Sequence, residues 1–190
     1  MSYPTTAYKI IAPHSAGFIP PISSTDAGAA SPVETSNGLS TLYPTAPAQL
    51  GMIVQAVDPT YGTGEFMLLV GVASTVAGDV VIYDTTTYQT ALLTVTNGKN
   101  KGVPVAVAMA ACTAGLYGWY QVSGNAVIRK TAVAVSPSVP IYISATAGWI
   151  KSLTSTGQQI VGAQSANLAT IVTSTSTVVV TIARPHTEGQ

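Results

Sequence analysis

The chain has 190 residues, 47% of them hydrophobic, yet only seven Lys/Arg and seven Asp/Glu, so its formal net charge is zero. An ordinary soluble domain is about one-quarter charged; here Ser and Thr, 43 in all, keep the surface wet instead. This excludes the low-hydrophobicity class of disordered chains and argues against binding DNA, phosphate or an anionic membrane, each of which draws on clustered Lys and Arg.

Residues 1–49 hold seven of the twelve prolines and three charges, Lys9, Asp26 and Glu34. Proline removes a backbone donor and fixes φ, so this stretch is not a run of central strands. Apolar anchors are nevertheless spaced along it at Ile10-Ile11, Phe18-Ile19 and Leu42-Tyr43. The pattern predicts an extended N-terminal arm lying on a surface, its own or a neighbour's. At about 3.3 Å per extended residue such an arm reaches far. The opening Met1-Ser2-Tyr3-Pro4 lacks the basic and apolar regions of a secretory signal. No run of 18 apolar residues suggests a membrane span. Synthesis in a cytoplasm is expected.

From residue 50 to residue 190 the chain reads as a β body. Strands are predicted at 52–57, 65–71, 80–83, 91–96, 103–108, 118–122, 126–134, 140–143, 148–153, 159–163 and 177–183. These segments are short, rich in Val, Ile, Thr and Tyr, and bounded by Gly, Asn, Asp or Pro. Thr96-Asn97-Gly98-Lys99 predicts a tight primed hairpin turn, and Ser123-Gly124-Asn125 a second hairpin tip. Ala163–Thr170 offers at most one short helical turn. The fold class expected is all-β, a compact β-barrel or β-sandwich preceded by the arm.

A faint repeat runs through this body. Val80-Val81-Ile82-Tyr83 followed by Ala91-Leu92-Leu93-Thr94 matches Val139-Pro140-Ile141-Tyr142-Ile143 followed by Gly148-Trp149-Ile150-Lys151. An aliphatic strand and a closing strand come after each, about sixty residues apart. Two related halves of one closed or sandwiched domain fit this better than a solenoid, which needs at least three repeats. Closure also removes edges that so few charges would leave unprotected.

Residues with chemistry to offer are scattered. Cys112 sits in a small-residue run and reads as a buried inert thiol. His14 and His186 lie beside prolines near the two ends, too far apart in the chain to form a short-spaced zinc motif with it. Asp58, Asp79 and Asp84 read as turn residues, and Gly62-Thr63-Gly64 is too short for a phosphate loop. Lys99/Lys101 and Arg129/Lys130 read as hairpin-edge charges. No acid–base pair, metal set or cofactor motif emerges, so no enzyme and no cofactor are expected. Tyr117, Trp119 and Gln121 alternate on one strand with Tyr120 and Val122. One face is expected in the core and the other free to meet a partner, with Trp149 on the related strand doing likewise.

Several stretches then carry a resemblance: Gly78-Asp79-Val80-Val81, Gly102-Val103-Pro104-Val105-Ala106, Gly115-Leu116-Tyr117-Gly118-Trp119-Tyr120-Gln121-Val122-Ser123-Gly124, Ile160-Val161-Gly162-Ala163, and the strand Val178–Ile182. Their order over residues 60–185 resembles the head decoration, or cement, proteins of tailed bacteriophages. The resemblance implies a small β-barrel or β-sandwich, often trimeric, on the outside of the virion. It also implies a function, reinforcing the capsid by bridging subunits of the major capsid protein. The interface residues expected are Ile10, Ile11, Phe18, Ile19, Leu42, Tyr43, Tyr117, Trp119 and Trp149. A carbohydrate-binding or adhesive module of a fibre or surface layer is the alternative expectation.

Overall fold

The computed structural model describes residues 9–12, 42–43, 46, 49–58 and 60–190. The architecture is all-β, a curled antiparallel sheet that forms a half-barrel. Its strands are β1 (Lys9–Ala12), β2 (Leu42–Tyr43), β3 (Ile53–Asp58), β4 (Gly62–Val70), β5 (Val80–Tyr83), β6 (Thr90–Leu92), β7 (Val105–Ala108), β8 (Tyr117–Arg129), β9 (Pro140–Ile143), β10 (Ile150–Lys151), β11 (Gln159–Ser165) and β12 (Thr177–Thr187). One single-turn helix, α1 (Val95–Gly98), interrupts them. The main path through the sheet runs β1-β3-β4-β8-β12-β11-β9-β10, with β7 joining β8 to the β5–β6 hairpin.

The repeat seen in the sequence is a repeat of topology. In a first unit β6 pairs with β5, β5 with β7, β7 with β8, and β8 with β4. In a second unit β10 pairs with β9, β9 with β11, β11 with β12, and β12 with β8. The isolated bridges repeat as well. Val70 and Lys130 each form a parallel bridge, to Gln89 and Ile150, while Thr75–Cys112 and Val135–Ile171 are antiparallel. Turns at matching places take positive φ, +85° at Gly78 and +55° at Ser138.

The long strand β8 belongs to both units. Its first half pairs with β4 and β7, and Ser123–Arg129 pairs with β12. This corrects the reading of Ser123-Gly124-Asn125 as a hairpin tip. The three residues lie in mid-strand, beside a register shift in the β4 pairing between Glu65 and Phe66. Gly124 is at φ +96°, and a Cβ there would come within 2.5 Å of the Thr63 carbonyl oxygen. Glycine marks a kink in a continuous strand, where the backbone of β4 passes too close for a side chain.

The Asn97-Gly98 step is likewise not a primed turn. The Asn97 N–H donates to Thr94 Oγ1 at 3.2 Å and the Thr94 N–H donates to Asn97 Oδ1 at 2.8 Å, a reciprocal cap on α1. Gly98 is buried against Leu93 and Ile143, with no room for a Cβ. The helical turn considered at Ala163–Thr170 does not form: β11 continues to Ser165 and a loop follows.

Side chains alternate along the strands as a curled sheet demands. On β12, Val178, Val180 and Ile182 point inward, while Thr181 and Ala183 are exposed. The first unit encloses Leu69, Val81, Ala106, Ala108, Tyr120 and Val122. A larger core joins the units: Val80, Val105 and Val107 from β5 and β7 meet Ile128, Ile141, Ile143, Ile160, Val180 and Ile182. The first unit is therefore covered on the back by the second.

Candidate interaction surface

Of the residues expected at an interface, Trp119 is placed in the core. It is 2% exposed, packed with Val54, Ala56, Phe66 and Leu68. Gln121 on the same face is 1% exposed, and Tyr120 and Val122 opposite are buried too. The expectation that one face of this strand is free therefore fails, because β8 runs through the middle of the sheet with a core on each side. Tyr117 is half-buried at the rim of the Trp119 cluster. Trp149 is half-buried, and the Arg129 guanidinium lies 4.6 Å from its ring centroid. Ile10 and Ile11 are on β1, which pairs with β3, and Leu42 and Tyr43 are on β2, which pairs with β8 at Tyr117 and Gly118. Phe18 and Ile19 lie outside the described residues.

Of the charges predicted to line a hairpin edge, Lys99 and Lys101 are exposed, while Arg129 and Lys130 are structural. Arg129 Nη1 donates to Asp79 Oδ1 at 2.8 Å, and the other Asp79 oxygen, Oδ2, accepts from the Val76 N–H at 2.8 Å. Burial raises the Asp79 carboxyl from its ordinary value, against the lowering pull of the Val76 N–H and of Arg129. Lys130 is 1% exposed. Its Nζ donates to three main-chain carbonyls, Val133 at 2.8 Å, Val172 at 3.1 Å and Thr131 at 3.3 Å. Burial pushes this ammonium below the ordinary lysine value. The neighbouring dipeptide looks solvated in sequence because nothing local signals that two loops will close over it.

In the first unit Val70 holds the place of Lys130, and the carbonyl ties come from its bridge partner Gln89, an exposed amide. Gln89 Nε2 donates to the carbonyls of Gly71, Thr90 and Val70 at 3.1–3.4 Å. Asp84 is a turn residue as expected. Its carboxylate accepts from the N–H groups of Thr86 and Thr87, which hold it below the usual carboxylate range. Cys112 is buried, and burial pushes its thiol up. No group of three or more His, Cys, Asp or Glu that could hold a metal exists among the described residues. Nor is any helix among them long and apolar enough to cross a membrane.

The most informative surface emerges from comparing one row of the sheet in the two units. Directly opposed residues on antiparallel strands share a face. In the first unit the row is Phe66–Gln121–Val107–Val80, and in the second Asn125–Thr181–Gln164–Pro140. The first row is at most 2% exposed throughout. In the second, Thr181, Gln164 and Pro140 are exposed and line an open groove of about 470 Å³ with Ser138, Gln159 and Gly162. A bulge at Gly162, φ +78°, shapes this groove: pairing slips on both sides of β11 there.

Beyond the row, the loops at the end of the second unit carry Leu168, fully exposed, with Leu153 and Val172 more than half exposed. Residues 131–183 contain a single charged residue, Lys151. Sequence reasoning missed this surface, although the run without charge was visible. No protein-family model and no curated protein sequence matches the chain.

Proposed function

We propose that this protein is a structural component of a virion, bound to the outside of an assembled phage capsid, where it stabilises the shell by bridging neighbouring capsid subunits. The partner in this reading is the major capsid protein, and the protein acts as a homo-oligomer, a trimer in the family it resembles. The observation that carries the reading is how the N-terminal segment meets the body. β1 adds to β3 and β2 adds to β8, with residues 13–41 between them. Strand addition of this kind binds through main-chain hydrogen bonds and needs no charge, which suits a chain with so few. A β body built on three apolar clusters supplies a stiff spacer behind such an arm.

The alternative, a carbohydrate-binding or adhesive module, has less support. Trp119 is buried, Trp149 is covered by Arg129, and no aromatic side chain lines the groove. A glycan array separates the two readings, since a cement protein should be silent on it.

The direct test uses matched empty shells in the expanded state. Full-length protein at micromolar concentration should co-sediment with them and raise their melting temperature. Ile10→Pro, which disrupts β1 as a strand, should weaken that binding. Failure of the unaltered protein to bind at all overturns the reading.

A further inference from the structure

We propose that the open face of the second unit, the row Asn125–Thr181–Gln164–Pro140 together with Leu168 and Val172, is where two copies of this chain meet. The inference rests on the homo-oligomer part of the function proposed above. It does not depend on how the N-terminal segment binds a shell.

The first support is internal. The same row in the first unit is covered by polypeptide, with Val80 and Val107 contributing to the core shared with the second unit. The architecture therefore already contains one solution for covering this face, and leaves the repeated one bare. The second support is exposure. Among the described residues four large hydrophobics are exposed, and Leu153, Leu168 and Val172 are three of them. A stable contact buries about 800 Å² on each partner. These three side chains fall short of that alone, so the proposed contact also takes in the groove of the row, four residues before Leu168 in the chain at Gln164.

Charge selects the occupant. A surface built from residues 131–183 carries one charge, so an identical surface approaches it with almost no like-charge repulsion. The polar groups on the row are amides and a hydroxyl tied within the chain, Thr181 Oγ1 donating to Asn125 Oδ1, Asn125 Nδ2 to the Tyr61 carbonyl and Gln164 Nε2 to the Ser138 carbonyl, so they enter a contact already hydrogen-bonded. The loops bearing the apolar side chains are also held in place before contact. Lys130 ties the Val133 and Val172 carbonyls together, and Asn167 Nδ2 donates to Val135 and Ala169 at 3.0 and 2.7 Å. Ordering them therefore costs little at the moment of association.

The experiment is sedimentation of the full-length protein over about 1–100 µM, a range that brackets micromolar self-association. The unaltered chain should form a reversible oligomer whose dissociation constant changes less than about twofold between low and high salt, as an uncharged contact requires. The double variant Leu168→Asp/Val172→Asp should weaken association at least about tenfold. Both sites are exposed, and an unchanged melting temperature checks that the fold survives. Thr86→Lys, on the exposed first-unit turn, should associate as the unaltered chain does. A protein that stays monomeric across the range overturns the inference, as does a double variant that associates normally or an association that salt abolishes. A monomer that still binds shells would remove this contact and the homo-oligomer part of the proposed function, and leave capsid binding standing.

Discussion

The two units of the body share one strand order but meet their surroundings differently. In the first, the row through Phe66, Gln121, Val107 and Val80 is sealed; in the second, the row through Thr181, Gln164 and Pro140 faces solvent. The residue types follow the environment. Valines occupy β5 and β7 where a second core lies behind them, and proline and glutamine occupy the matching places on β9 and β11 where none does. Repetition thus fixed the backbone, and burial fixed the side chains. A duplicated fold leaves one face without its internal cover, and a face of that kind is where a protein of this composition has contact surface to offer.

The strongest way to break the comparison is to place the same charge at both positions. Val107→Asp buries a carboxylate between two cores and should cost about 4 kcal/mol or more, enough to unfold a marginal domain. Gln164→Asp, at the matching place, should change stability by no more than about 0.5 kcal/mol. Chemical denaturation of the two variants decides it. Equal effects would mean the second row is covered in the folded monomer. Because Val80, Val105 and Val107 join the second unit's core, the described body should also unfold in one transition rather than two.

A smaller effect tests the closure of the second unit, where Lys130 stands in place of the first unit's Val70. Lys130→Met leaves three carbonyls without their donor and should cost about 2–4 kcal/mol. It should also change the alkaline limb of stability. Burial lowers the folded ammonium from its ordinary value of 10.5, so the unfolded chain holds more protons between the folded value and 10.5. Stability should therefore rise with pH through that window, be fully gained above it, and be lost as pH falls through the folded value. Burial raises Cys112, Tyr83 and Tyr120, whose contributions to stability are lost over the same alkaline range in both proteins. Denaturation midpoints measured from neutral pH upward should therefore differ between the unaltered chain and Lys130→Met by this rising contribution, present in the first and missing from the second. A difference that does not change with pH would contradict it.

The mildest test concerns the matching turns at Gly78 and Ser138, both at positive φ. A side chain in the left-handed region is strained. Gly78→Ala should cost about 1 kcal/mol, and Ser138→Gly should gain about 0.5 kcal/mol. Thermal melts read both. Gains or losses of the same sign in the two would show that the turns are not equivalent.

Much of the fold was legible in the sequence, because alternation and turn residues are local signals. The sixty-residue spacing disclosed the two units before any pairing was known. What misled was chemistry whose meaning depends on distant chain. Asn97-Gly98 reads as a hairpin turn until Thr94 is seen to cap it, and Gly124 reads as a tip until β4 is seen passing beside it. Arg129 and Lys130 read as solvated charges although Asp79, fifty residues earlier, and Val172, forty-two residues later, pair with them. Trp119 reads as an anchor for a partner because aromatic residues suit both interfaces and cores, and only the count of faces covered distinguishes them. The open row was hidden for the opposite reason. Pro140, Gln164 and Thr181 are ordinary surface residues, informative only beside their buried counterparts.

The measurement closest to the central claim is an electron cryo-microscopy map of the native particle. The account predicts density for the two-unit β body on the outer surface of the shell, in contact with more than one capsid subunit. A shell whose outer surface is bare of this chain, in a particle that contains it elsewhere or not at all, would contradict the account.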